Sequence, residues 1–142
     1  MELRHLSPSE LERARPLLVA NDLPVADLDD PANELFGAFD AGDLIGVVGL
    51  QRCDGVGLLR SLAVASSRRT AGIGRALCDH VLDIAREHGF GAVYLMTTGA
   101  ADYFAGLGFT PVERADAPAS IRTTAQFASL CPASAKILRR SI

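Results

Sequence analysis

Lysine is almost missing from this chain: Lys136 stands alone, and arginine carries nearly all the positive charge. A guanidinium gives planar, two-pronged contacts to oxyanions, where an ammonium offers only a point charge. A GC-rich genome produces the same bias. Cysteine is scarce as well. Cys53, Cys78 and Cys131 are odd in number and none forms a CxxC pair. That argues against a disulfide scaffold or a zinc site, and for a reduced, cytoplasmic protein with no metal. No apolar run approaches the length of a bilayer span, and the N-terminal MELRHLSPSE carries no signal segment, so no membrane partner is expected. No basic block is present and the net charge is −3, which argues against nucleic acid.

What remains is ordinary globular composition, 49% hydrophobic and 22% charged over 142 residues, read as one domain spanning 1–142. Leu3–Leu6 reads as a short strand. Ser7-Pro8-Ser9-Glu10 opens a helix with a capping box, and Pro16 inside that helix predicts a kink or break. Asn21–Pro31 reads as a mobile loop or a short second helix. Glu34–Phe39 and Leu44–Gln51 form a hairpin, and Asp54-Gly55 turns the chain into a third strand, Val56–Val64. A helix from Ile73 to His88 buries Ile73, Leu77, Val81 and Ile84 and stops at Gly89. The strand Ala92–Thr97 follows at crossover length, so it runs parallel to Val56–Val64. A short helix over Ala100–Leu107, a strand at Phe109–Arg114, a short helix within Thr123–Leu130 and a last strand at Ala135–Ile142 complete a mixed α/β domain. That last strand would offer a partner chain an edge across a two-fold axis, so a homodimer is open.

The most informative stretch is Leu58–Leu77, LLRSLAVASSRRTAGIGRAL. A strand, a glycine-bearing loop and a helix N-terminus in that order make a site for phosphate, because unpaired N–H groups and the helix dipole favour an anion. Three loop classes compete. The nucleotide-triphosphate loop needs Lys then Ser or Thr where Arg75-Ala76 stands. The dinucleotide fingerprint wants Gly or Ala where Leu77 stands, and a strand directly before its first glycine.

The third class fits. Arg69-Thr70-Ala71-Gly72-Ile73-Gly74, after LLRSLAV and before an amphipathic helix, with YFAGLGF at Tyr103–Phe109 downstream, resembles the coenzyme A loop of the GCN5-related N-acetyltransferases. The resemblance implies a mostly antiparallel sheet of about seven strands, flanked by helices and splayed between the fourth and fifth. It implies acetyl-CoA as co-substrate, its pyrophosphate on the loop from Arg69 through Thr70, Ala71, Gly72, Ile73 and Gly74 to Arg75. Its pantetheine arm would pair with backbone of Leu62, Ala63 and Val64. The reaction implied is attack by a small-molecule amine on the thioester.

Two family groups are absent. Phe104 aligns with the tyrosine that protonates the leaving thiolate, and Tyr103, a candidate acid, is one residue off, about 100° round a helix, and so expected to face elsewhere. Leu58 stands where some members have glutamate, so no general base is assigned. His5, His80 and His88 are poor candidates. Arg60 is a charge inside an apolar strand and needs a partner, either a carboxylate of this chain or an oxyanion on the substrate. On the second reading Arg60 and Ser61, with Thr97, Thr98, Arg114 and Arg122 near by position, bind a small anionic amine. GLLRSLAV, YLMTTGAADYFAGLGF and LCPASAKIL further resemble small acetyltransferases that accompany arsenic-resistance genes, implying an arsenic- or phosphorus-containing glutamate analogue as acceptor. The alternatives are a non-catalytic CoA-binding or metabolite-sensing protein, and a general amino-acid or antibiotic acetyltransferase.

Overall fold

The structure is a computed structural model that describes residues 1–69, 71–130 and 134–142. Its strands are β1 (Glu2–His5), β2 (Asn33–Asp40), β3 (Asp43–Cys53), β4 (Val56–Val64), β5 (Ala92–Thr97), β6 (Thr110–Val112) and β7 (Lys136–Ser141). They form one seven-stranded sheet in the order β1-β2-β3-β4-β5-β7-β6. Every neighbouring pair is antiparallel except β4 and β5. The expected fold class is the one found.

Local chemistry explains the first half of the sheet. Both hairpins close through two-residue turns with positive φ at each central position, Ala41 (51°) and Gly42 (85°), then Asp54 (49°) and Gly55 (84°). Turns of that hand match the twist of the strands they join. Alternation along the strands then sorts the side chains. Phe36, Val48, Leu50, Leu59, Val93 and Leu95 meet Ile73, Leu77, Val81 and Leu82 of α2 (Ile73–Glu87) on one face. Leu35, Val47 and Ala63 meet Ala14 and Leu18 of α1 (Pro8–Ala20) on the other. Farther along that second face, Leu58, Tyr94 and Ile137 pack with Ile121 of α4 (Ala119–Arg122).

Several expectations are corrected. Pro16 does not break α1, which runs unbroken from Pro8 to Ala20. Proline costs the helix one hydrogen bond, and Ala14 and Leu18 on either side of it are fully buried against the sheet. Asn21–Pro31 contains turns and no helix. The strand expected over Phe109–Arg114 shrinks to Thr110–Val112, and the helix over Ala100–Leu107 to α3 (Ala101–Ala105). In the C-terminal segment a π-helical turn spans Gln126–Leu130. The last strand is no edge: β7 lies between β5 and β6 and pairs with both, so it has no free side for a two-fold partner. Cys131 lies outside the described residues. Among the described residues no helix is long and apolar enough to cross a membrane.

The capping box at the start of α1 is present: the Ser7 hydroxyl accepts from Glu10 N–H and the Glu10 carboxylate accepts from Ser7 N–H. Arg4 grips the same carboxylate at 2.7 and 2.8 Å. The Arg4 hydrogen bonds, then those from Ser7, pull the Glu10 carboxyl down to about 2. A folded-state value below the unfolded one stabilises the fold above the unfolded value and is lost as pH falls through the folded one. Glu10 therefore contributes fully above about 4.5 and loses its contribution between there and about 2. Glu10→Gln is expected to shallow the acid limb of a melting-temperature-against-pH curve in that window while leaving the neutral side flat.

Candidate functional site

β4 and β5 pair only at Gly57–Val93 and Leu58–Tyr94. Beyond Leu58 they separate. β5 follows its other partner, β7, along its whole length from Ala92–Ser141 to Thr97–Lys136. β4 is bent instead by an extra residue. Val47 faces Ala63 and Gly49 faces Arg60, two steps on β3 against three on β4. Ser61 absorbs the bulge with φ 59°. The β5-facing backbone of the second half of β4 is thereby left without a strand partner.

Two adjoining cavities fill the opening. The first, about 550 Å³, runs between the separated strands, from Leu59, Arg60 and Ser61 to Met96, Thr97 and Thr98. Asn21, Asp22, Leu23 and Pro24 cover it from the loop after α1, and Gln126 and Ala135 lie at its far side. The second, about 450 Å³, lies against Leu62, Ala63 and Val64 and the loop into α2, with Arg68, Arg69, Gly72, Ile73, Gly74 and Arg75. Asn21, Leu62 and Tyr103 line both.

The second cavity has the chemistry of an anion site. Gly72 caps α2 in the left-handed region, with φ 77° and no side chain over the first turn. The first backbone N–H groups of α2 therefore receive no side-chain cap from Gly72. Among the described residues, three arginines and no carboxylate line the walls. Arg68 is held by Asp40 at 2.6 Å and Arg69 donates to Asn21 Oδ1 at 2.6 Å. Gly74 serves a different purpose from Gly72: a Cβ there would stand 2.6 Å from the Tyr103 hydroxyl. Ala71 is exposed and does not line the cavity, and Thr70 lies outside the described residues.

Tyr103 was expected to face elsewhere, yet it sits at the junction of the cavities with its hydroxyl over the first turn of α2. Helix α3 is only five residues long, so both Tyr103 and its neighbour Phe104 reach the opening. Phe104 goes under, buried against Phe109, and Tyr103 stays half-exposed above it. Burial pushes the Tyr103 phenol above its ordinary value, so it keeps its proton at neutral pH. Burial also lifts the thiols of Cys53 to about 11 and Cys78 to about 12, which leaves neither as a ready nucleophile.

Arg60 has its partner within the chain. The side chain is fully buried, and both terminal nitrogens reach Asp27 at 2.5 Å. Nη1 also touches Gln51 Oε1 at 3.4 Å and Nε donates to Ser61 Oγ at 3.1 Å. The two-pronged face is spent on Asp27, so Arg60 is a wall of the cavity and not a free anion ligand. Arg114 and Arg122 are not brought to either of the two cavities: Arg114 donates to Ala135 O and stacks over Phe127, and Arg122 donates to Ala117 O. Thr97 and Thr98 do line the first. The loop residues Asn21–Pro24 had no local signal marking them as site residues. Among the described residues no group of three or more His, Cys, Asp or Glu is arranged to hold a metal ion.

Residues 2–109 match the model of the acetyltransferase (GNAT) family. Among curated proteins, none matches the chain in sequence. Rv2747 from Mycobacterium tuberculosis, solved in complex with CoA, superposes with a TM-score of 0.84 at 20% identity, over 100% of this chain and 99% of that one. Tetrahymena GCN5 gives 0.82 at 15%, over 100% and 96%. N-acetylglutamate synthase from Neisseria gonorrhoeae, complexed with coenzyme A and N-acetyl-glutamate, gives 0.82 at 19%, over 99% of this chain and 34% of that one. At these identities the likeness is one of fold.

Breaking the Arg60–Asp27 pair from one side leaves a buried, uncompensated charge. Asp27→Ala is expected to cost about 3–5 kcal/mol in urea denaturation. The double replacement Asp27→Leu with Arg60→Met should lose much less, because two apolar groups of similar size leave no orphan charge.

Proposed function

The chain belongs to the acetyltransferase (GNAT) family, and on that premise we propose that it moves the acetyl group of acetyl-CoA onto the amino group of a small, amino-acid-like amine carrying an anionic group. The observation that carries the reading is the parting of β4 from β5 beside an uncapped, arginine-walled helix N-terminus. The acceptor class is that of arsenic- or phosphorus-containing glutamate analogues, supported by GLLRSLAV, YLMTTGAADYFAGLGF and LCPASAKIL. The chain works as one cytoplasmic domain, and a homodimer would have to form on a surface other than β7.

In this reading the coenzyme pyrophosphate lies on the N–H groups of Ile73, Gly74 and Arg75, with Arg69 and Arg75 supplying charge. The pantetheine arm takes the place of a strand beside Leu62, Ala63 and Val64, whose β5-facing backbone otherwise lacks a partner. A backbone N–H at the Ser61 bulge faces the developing oxyanion, the type of donor that favours a tetrahedral intermediate. The acceptor fills the first cavity. Ser61 Oγ already accepts from Arg60, and Thr97 Oγ1 accepts from Ala100 N–H at 3.0 Å. Each hydroxyl keeps its own proton to donate, and these two with Thr98 hold the acceptor's anionic end. The amine nitrogen attacks the thioester carbon, the C–S bond breaks, and Tyr103 gives its phenolic proton to the thiolate.

Calorimetric titration with acetyl-CoA is the first test: saturable binding is expected, and no heat at high micromolar ligand would overturn the reading. Thiol release from acetyl-CoA with L-glutamate and its phosphinate analogue then tests the acceptor class. Tyr103→Phe should lower kcat by about 10²-fold, the low end for general acid catalysis because a thiolate leaves readily, with acetyl-CoA affinity retained.

A further inference from the structure

Asp22 stands where the helix dipole opposes an aspartate and where glycine is the commoner residue. It follows Asn21, the C-cap of α1, and its backbone is left-handed at φ 57°. Asp22 N–H donates to Val19 O at 3.1 Å and Leu23 N–H to Leu18 O at 3.0 Å. That is a Schellman turn, whose left-handed position is usually glycine because a Cβ is penalised there. The carboxylate also lies at the negative end of the α1 dipole, where a cation is favoured, and the last turn of α1 has no basic residue to offset it. Asp22 is exposed, and its carboxylate makes no hydrogen bond or ion pair with a described residue. An unpaired negative charge at a helix C-terminus brings the fold no return, and such a local conflict points to function.

Position supplies the second half of the argument. Only two of the described residues that line the first cavity carry a charge, Arg60 and Asp22. Asp27 neutralises Arg60. Asp22 is therefore the uncompensated charge of the acceptor site, and it is negative.

We propose that Asp22 is the proton acceptor for the incoming amine, a deepening of the acetyl-transfer reading on which it rests. The acceptor arrives as an ammonium with three protons on nitrogen and leaves as an amide with one. The Asp22 carboxylate binds the ammonium and takes one proton, which passes on to water because the side chain is exposed. The freed lone pair attacks the thioester carbon, the C–N bond forms and the C–S bond breaks. The nitrogen gives up its second proton as the amide forms, and that proton restores the Tyr103 phenol, whose own proton has gone to the thiolate. The site thus takes a zwitterion, its anionic end at the hydroxyls of Ser61 and Thr97 and its ammonium at Asp22.

The test compares the wild-type chain with Asp22→Asn and Asp22→Gly. Thermal denaturation needs no acceptor: Asp22→Gly should melt about 2–4 °C higher, since it relieves both the strain and the charge. In thiol-release assays with acetyl-CoA and L-glutamate or its phosphinate analogue, both variants should lose about 10²–10⁴-fold in kcat/KM, and added formate should restore part of the activity of Asp22→Gly. A stabilised but inactive variant is not what a merely structural aspartate produces. Asp22→Asn turning over as fast as wild type, or Asp22→Gly losing stability along with activity, would overturn the assignment. Wild type inactive on every amine offered would instead overturn the acceptor reading, and this inference with it.

Discussion

The rest of the site depends on hydrogen bonds that β4 does not make to β5. In the interior of a sheet each strand normally satisfies its backbone groups on both sides, and an orphaned buried N–H or C=O is costly. β4 keeps β3 as a neighbour along its length, but on the β5 side pairing stops after Leu58–Tyr94. Two features sustain the gap. β5 is carried away by six paired residues of β7, and β4 is bent by the bulge at Ser61. The opening is a built part of the sheet, with backbone groups of β4 left for a partner other than β5.

Charge is partitioned between the two halves of that opening. On the loop side Arg68 is held by Asp40, while Arg69 and Arg75 meet no carboxylate among the described residues, which suits an anionic coenzyme. On the acceptor side the buried Arg60 is cancelled by Asp27, thirty-three residues earlier in the chain. That pair ties the loop over the cavity to β4. Asn33 Nδ2 donates to the Asp27 carbonyl at 2.8 Å and Arg15 to Val25 O at 3.1 Å, so the loop is anchored at several points. Asn21, joined to Arg69 and lining both cavities, is where the two halves meet.

How much of this was legible in the sequence varied with the range of the physics. The turns at Gly42, Gly55 and Gly89 and the amphipathic face of α2 are local, and they appeared where composition put them. The glycines of the loop were legible as a pair, though not their division of labour: Gly72 for its φ, Gly74 for the room beneath the Tyr103 hydroxyl. What depended on distant contacts was not legible. Nothing near Arg60 announces Asp27 as its partner, and nothing in AKILRRSI announces insertion between β5 and β6. Arg114 and Arg122 were assigned by position alone, and each is tied to a carbonyl of the C-terminal segment. Asp22 carries no local signal, because turn residues after a helix read as loop and its left-handed backbone shows only in three dimensions.

Hydrogen exchange of the β4 amides, with and without acetyl-CoA, tests the central claim most directly. If the coenzyme arm takes the place of a strand in the opening, the amides of the Leu62–Val64 stretch exchange fast in the free protein and become protected on binding, while those of Gly57 and Leu58 are protected in both. Protection of Leu62–Val64 that is already complete without ligand, or that does not change when acetyl-CoA binds, would contradict the account.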